Sequence, residues 1–169
     1  MNWSLISIFF SLLLTPFFVY SQVDSIQLQI NQDVWYPFME SYASFNDKEF
    51  MSIHTDDIIR ISRDGQRIQV GEEYAKSMAE NAKWNKERKR TRTIEFSFLE
   101  RFSSGGMAFE VGYYKVISME PEKEPKNYYG IFQVVLKNID GKWKLLVDSD
   151  TSINNSLTEE DFLKGTILR

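Results

Sequence analysis

Cysteine is absent from this chain of 169 residues, and histidine occurs once, as His54. Without cysteine the protein has no disulfide framework, no thiol nucleophile and no thiol to lipidate. A zinc site built from cysteine and histidine is excluded as well, because such a site needs several of these ligands. Carboxylates, phenols, hydroxyls and guanidinium groups remain for any chemistry.

Charge is absent from the first 21 residues, Met1 to Ser21, and residues 5–19 are almost wholly apolar. A core of about 15 apolar residues falls short of the roughly 20 that a bilayer-spanning helix needs. Val19 and Ser21 occupy the −3 and −1 positions of a cut before Gln22, which is typical of a secretory signal peptide. We predict a secreted or periplasmic protein with no membrane contact after cleavage. An uncleaved membrane anchor is the alternative.

An excess of positive charge is also lacking. The 20 basic and 24 acidic residues all lie in residues 22–169 and give a net charge of −4. A nucleic-acid-binding domain needs a basic face, so this class of partner is excluded. Residues 22–169 have the length of a single domain with one core.

The N-terminal part has helical periodicity. Apolar residues recur every four positions over residues 24–45, which predicts an amphipathic helix. Pro37 fits poorly in its interior and predicts a kink, or a fresh start near Val34. A short second helix is expected over residues 48–54, and a third helix after Gly71.

The later part alternates with a period of two. A short strand is expected over residues 57–62, followed by a turn at Asp64-Gly65. From Thr93 onward, long strands are predicted to form a meander, with segments 107–119, 128–137 and 143–150 separated by turns or a solvated connection. Helices followed by antiparallel strands indicate an α+β fold.

Several short strings together carry a resemblance that covers nearly all of residues 22–169. They are Trp35-Tyr36-Pro37-Phe38 with Tyr42, the segment 50–57, Gly71, Glu110-Val111-Gly112-Tyr113-Tyr114, Tyr129-Gly130 and Asp140-Gly141-Lys142-Trp143-Lys144. In this order they resemble the nuclear transport factor 2-like superfamily, in its SnoaL-like branch. The resemblance implies a cone-shaped, strongly bent antiparallel sheet packed against N-terminal helices. We also expect a homodimer formed through the outer face of the sheet.

The superfamily mixes enzymes with non-catalytic domains, so the fold does not choose between them. Comparison with its ketosteroid isomerase branch places Tyr42 where an oxyanion-hole tyrosine would be. The general-base aspartate would follow the first strand, yet Ile61-Ser62-Arg63 stands there and Asp64 belongs to a turn. The second oxyanion acid is replaced around residues 131–133. The isomerase interpretation is therefore rejected.

Asp148 and Asp150 are the first candidate site residues. They lie two apart on the last long strand, so both side chains leave the same face about 7 Å apart. With Glu110 nearby they could share a proton, and a carboxyl with a raised pKa can act as general acid or base. The alternative is that they lie where the strand frays into solvent.

Glu110 and Tyr114 share a face of one strand, with Gly112 between them. A mid-strand carboxylate is costly if it is buried unpaired, so Glu110 either faces solvent or pairs in a cavity with Arg60 or Arg92. Tyr129, on the next strand, is a further candidate ligand contact, as is Arg60.

His54 is predicted to end a short helix before Asp56 and Asp57, which would suit a histidine–carboxylate base. A capping role at the helix end is the alternative. Residues 148–159 place oxygen-bearing side chains at calcium-loop positions, but Ile153 stands where that loop requires glycine. We therefore expect no metal, and no cofactor.

Three hypotheses remain. The first is a cone cavity that binds a small, largely apolar ligand through Tyr42, Arg60, Glu110, Tyr114, Tyr129 and Asp150. The second is a cofactor-free lyase, isomerase or cyclase in which His54 or Asp148 takes a proton and Tyr42 donates to a developing oxyanion. The third is an interaction module whose cone is filled by its own aromatic side chains.

Overall fold

The computed structural model describes residues 25–169. The predicted signal peptide, residues 1–21, lies outside the described residues. No helix within them is long and apolar enough to cross a membrane. The helical elements are α1 (Ser25–Ile30), a π-helical turn (Asn31–Trp35), α2 (Tyr36–Ser44), α3 (Asp47–Ser52), α4 (Glu72–Glu87) and α5 (Glu159–Phe162). The strands are β1 (His54–Ser62), β2 (Arg67–Val70), β3 (Thr91–Ser104), β4 (Met107–Met119), β5 (Lys126–Ile139), β6 (Lys142–Thr151) and β7 (Thr166–Ile167).

The predicted first helix is interrupted by the π-helical turn. The amide of Tyr36 donates to the carbonyl oxygen of Asn31, five residues earlier, which is the spacing of a π turn. Pro37 is then the second residue of α2, where its missing N–H is tolerated. The wider turn also suits an apolar repeat of four, because an ordinary α-helix has 3.6 residues per turn. Val34 and Trp35 are thereby buried in the core.

The described strands form one seven-stranded sheet in the order β2-β1-β6-β5-β4-β3-β7. Its pairings are antiparallel except that β1 lies parallel to β6. The sequence predicted only antiparallel neighbours, because the meander gives no sign of which strand β1 will join. Parallel neighbours need a long crossover, and here the whole chain from β2 to β5 supplies it.

Two short strands and one helix boundary differ from the expectation. β2 has four residues and β7 has two, so neither is long enough to show a clear alternation. The predicted helix over residues 48–54 ends at Ser52, and His54 begins β1 instead of ending the helix.

Three register shifts interrupt the long pairings, between His54 and Ile59, between Phe98 and Glu100, and between Val135 and Leu136. Such irregularities bend strands and increase their twist. The sheet therefore curves around the helical side, and the aromatic core fills much of the concavity. Trp35 packs there against Phe96, Phe98 and Phe132, with ring centroids 4.6 to 5.2 Å apart.

Candidate functional site

A cavity of about 510 Å3 lies between the concave face of the sheet and helices α2, α3 and α4. Strand alternation and helix periodicity both direct apolar side chains into this space. Much of its wall is aromatic or aliphatic, including Trp35, Phe38, Phe50, Phe96, Phe132 and Val134. The volume lies within the range of about 300–1,000 Å3 found for ligand sites.

Charged side chains meet on one wall of the cavity, where β1 lies beside β6. Arg60 pairs in register with Asp148, and the neighbouring Ser62 with Asp150, so all four side chains lie on the concave face. Nη2 of Arg60 donates to Oδ1 of Asp150 at 2.7 Å, and Nε lies 3.5 Å from Oδ2 of Asp148. Burial opposes the charge on Arg60, but the two carboxylates outweigh it and raise the guanidinium pKa.

Asp148 is the more deeply buried of the two carboxyls in this group, with 8% of its surface exposed. Burial raises the pKa of its carboxyl; Arg60 opposes this shift and Asp150 adds to it. The closer partner of Arg60 is Asp150, which leaves Asp148 as the group best suited to hold or release a proton.

Tyr114 completes this wall. Its hydroxyl donates to Oδ2 of Asp150 at 3.1 Å. Burial and the charge of Asp150 raise the pKa of the phenol, so it stays a hydrogen-bond donor. Gly130 is its cross-strand neighbour, and a Cβ there would lie 2.1 Å from the ring carbon Cζ of Tyr114. Glycine at position 130 is thus what allows the tyrosine ring to lie flat on the sheet.

Arg92 and Tyr42 form a second polar group in the lining. The guanidinium of Arg92 lies 3.4 Å from the centroid of the Tyr42 ring and 4.1 Å from that of Phe45. Its Nε donates to the backbone oxygen of Tyr42 at 2.8 Å. Burial raises the pKa of the Tyr42 phenol, which therefore remains protonated near neutral pH.

Glu110 lies on the concave face, in the same cross-strand row as Asp148, but it is not among the residues that line the cavity. Trp35 covers it and donates from Nε1 to Oε2 at 2.6 Å. Its cross-strand neighbour Arg101 donates to Oε1 at 2.9 Å. The expected partners, Arg60 and Arg92, are therefore wrong, because register puts Arg101 beside Glu110 and Trp35 separates the pair from the cavity.

His54 is also outside the cavity lining, buried behind Phe50 and Tyr74. Its Nδ1 lies 2.8 Å from the backbone oxygen of Phe50, and Nε2 has no hydrogen-bond partner among the described residues. Burial lowers the pKa of its imidazole to about 4. The ring is thus neutral at physiological pH.

Tyr129 lies away from the cavity. Its hydroxyl contacts the carboxylate of Glu159 in α5, which also binds Lys115 at 2.9 Å. Of the eight predicted site residues, the cavity brings together Tyr42, Arg60, Tyr114, Asp148 and Asp150.

Seven polar lining residues were not predicted as site residues, and Tyr74 and Arg92 are the largest buried or partly buried ones among them. Tyr74 is buried on α4, and its position over the cavity depends on tertiary packing. Arg92 had a usable signal, because it shares the alternation of Ile94 and Phe96 on β3 and so points to the same face.

No protein-family model matches this chain, and no curated protein matches it. A conserved protein from Planctomyces limnophilus is similar in structure, with a TM-score of 0.63 at 19% identity over 73% of this chain and 93% of that one. A ketosteroid isomerase-like protein from Erwinia carotovora gives 0.58 at 13% identity, over 75% and 95% of the two chains. An NTF-2-like protein of unknown function from Shewanella oneidensis gives 0.58 at 17% identity, over 74% and 98%.

Identities this low carry information about the fold alone, and the assignment to the SnoaL-like branch stays a prediction. The bent sheet with its N-terminal helices and these structural neighbours agree with each other, and they confirm the predicted architecture. This chain has the nuclear transport factor 2-like fold.

Proposed function

We propose that the protein binds a small, largely apolar molecule in the cavity of the cone. The observation that carries the proposal is an aromatic-walled space of about 510 Å3 whose wall also includes Arg60, Tyr114, Asp148 and Asp150. Apolar contact surface combined with fixed polar groups is the usual composition of a small-molecule site. The aromatic groups provide contact area, and the polar groups orient the ligand.

The competing idea of a cone filled by its own aromatic side chains is disfavoured by the same space. Trp35, Phe96 and Phe132 pack against each other, yet they leave the cavity between them and α4. A cone filled by its own side chains would leave no space in the volume range of ligand sites.

A cavity-filling substitution tests the proposal. Val116 lines the cavity, whereas Ile117, its neighbour on β4, has its side chain on the opposite face. We expect Val116→Phe to reduce at least tenfold the amount of small molecule that remains bound to the purified protein in native mass spectrometry. Ile117→Phe is the matched control and retains the ligand. Equal retention by both variants, with both folded, would place the ligand elsewhere.

A second candidate function is cofactor-free acid–base catalysis in the same cavity. It is favoured by Asp148, a buried carboxyl with a raised pKa, which can take a proton from a bound carbon acid. Tyr42 would donate a hydrogen bond to the oxyanion that develops. Asp148→Asn should then lower turnover by about 100-fold or more, within the usual contribution of a general base. Full turnover in that variant would rule out this role.

The homodimer through the outer face also remains a proposal. A cross-strand row on that face is apolar throughout: Val70, Ile59, Val147, Val135, Phe109 and Phe102. Val70 and Phe102, at the two ends of this row, are each about half exposed, at 51% and 54%. A contiguous apolar band of this kind is typical of an interaction surface.

Secretion directed by residues 1–21 is proposed on the sequence pattern alone.

A further inference from the structure

Arg92 differs from the other partly buried arginines because it has no anionic partner within residues 25–169. Arg60 pairs with Asp148 and Asp150, and Arg101 pairs with Glu110. Among the described residues no carboxylate forms an ion pair with Arg92, although it lines the cavity. The cavity wall therefore includes a cation whose charge is not matched by any carboxylate of the described part of the chain.

The guanidinium of Arg92 is held in a fixed orientation. It stacks on the rings of Tyr42 and Phe45, and Nε is anchored to the backbone oxygen of Tyr42. The edge that carries Nη1 and Nη2 has no carboxylate partner within residues 25–169. A planar guanidinium anchored in this way is suited to two parallel hydrogen bonds to one oxyanion.

Burying an unpaired charge costs free energy, and the cost falls when a counter-ion joins it. Burial correspondingly lowers the pKa of Arg92, whereas the carboxylates beside Arg60 raise that residue's pKa. A ligand that carries its own negative charge would supply what the cavity lacks. The opposite wall would repel such a charge, because Asp148 and Asp150 already occupy Arg60.

We propose that the ligand is an apolar carboxylic acid, bound as its carboxylate to Arg92 with its apolar body against Phe96, Phe132 and their neighbours. One guanidinium matches the single charge of a carboxylate. A phosphate monoester carries about −1.5 to −2 at pH 7 and would bring excess charge into the cavity. The inference rests on the proposed function, since it identifies the chemical class of the ligand.

Three probes that share one apolar body test the inference: 4-phenylbutyrate, 4-phenylbutan-1-ol and 4-phenylbutylamine. Isothermal titration calorimetry of the wild-type protein should give the acid the highest affinity, about tenfold above the alcohol at low salt, because its hydrogen bonds are charge-assisted. The amine should bind most weakly. The ratio of the affinity for the acid to that for the alcohol should fall at high salt, since salt screens the charge of a carboxylate bound near an accessible cavity wall.

Substitution of the arginine then assigns the preference. Arg92→Gln should bring the affinity for the acid down to that for the alcohol and change the affinity for the alcohol less than twofold. Arg92→Lys keeps the charge without the planar fork. It should retain part of the affinity advantage of the acid over the alcohol. Arg88→Gln is the matched control, because Arg88 also stacks on an aromatic ring, Trp84, but lies outside the cavity lining.

The outcomes separate the two proposals. If the alcohol binds as tightly as the acid to the wild-type protein, the anion inference is overturned and the apolar cavity stands. If Arg92→Gln still binds the acid about tenfold more tightly than the alcohol, another group binds the carboxylate, and the assignment to Arg92 is wrong. If none of the three probes binds the wild-type protein, both the inference and the proposed function are contradicted. The salt dependence of the wild-type protein remains decisive should the Arg92 variants fail to fold.

Discussion

At the scale of the residue, burial explains why His54, the one imidazole of the chain, is neutral. Its exposed fraction is 1%, its ring packs on Phe50 and Tyr74, and the positive charges of Arg60 and Lys144 add to the effect of burial. All these influences disfavour the imidazolium, and only the backbone oxygen of Phe50 favours it. The neutral ring can still donate from Nδ1 to that oxygen.

The acid stability of the protein should therefore depend on His54. Its pKa is about 4 in the folded state and about 6.5 when unfolded, so the unfolded chain takes up the proton first as the pH falls. The stability due to the neutral ring is complete above pH 6.5 and is lost as the pH falls through 4. The loss amounts to about 3 kcal/mol, at about 1.4 kcal/mol per pKa unit.

His54→Asn keeps a donor for the oxygen of Phe50 but cannot become protonated. Urea unfolding between pH 7 and pH 4 should show the advantage of the wild-type protein over this variant shrinking as the pH falls. The other titrating groups are common to both proteins and cancel in this difference. A difference in the free energy of unfolding that stays constant over this range would mean that His54 does not titrate as a buried group.

At the scale of the element, one buried group joins the N-terminal helical segment to the sheet. Glu110 of β4 accepts from Trp35 of the π-helical turn and from Arg101 of β3, and Arg101 also donates to Asn31 at 2.7 Å. The π turn places Asn31 and Trp35 where both reach this group. The link fixes the helical segment on the sheet, and so the position of the aromatic wall beside the cavity.

Glu110→Gln should strongly destabilise the protein. It leaves the buried guanidinium of Arg101 without a counter-charge, and breaking a buried pair in this way costs about 3–5 kcal/mol. Glu159→Gln is the control, since its pair with Lys115 is partly exposed and contributes about 1 kcal/mol or less. Chemical denaturation measures both. Small and equal losses would show that Glu110 does not hold the helical segment to the sheet.

The elements differ in how much of them could be predicted from the sequence. The bounds of β4, residues 107–119, follow directly from alternation and from the Gly105-Gly106 turn before them. Pro37 and the four-residue apolar repeat predicted an irregularity in the first helix. They did not predict the hydrogen-bond pattern of a π turn. β2 and β7 could not be predicted, because such short strands are defined by the partner they pair with.

At the scale of the whole molecule, the sequence predicts which strand residues share a face of the sheet. It does not predict which helical side chains cover them. Alternation puts Glu110 with Tyr114 on one face of β4 and Asp148 with Asp150 on one face of β6, and the register of the sheet brings both pairs to the concave side. Whether each then meets a cavity depends on which helical side chain lies above it. Trp35 covers Glu110, whereas Tyr114 lines the cavity. The parallel pairing of β1 with β6 is likewise a tertiary feature, and it brings Arg60 to the two aspartates.

The central claim is that this cone holds a small apolar molecule. Its most direct test is the native mass of the protein purified from its own host, compared with the denatured mass of the same sample. We predict a mass increment of one small organic molecule per chain that disappears on denaturation and is lost in Val116→Phe. The same spectrum reports whether the chain begins at Gln22 and whether two copies associate. A native mass equal to that of the bare chains, in a sample with a folded core, would contradict the account.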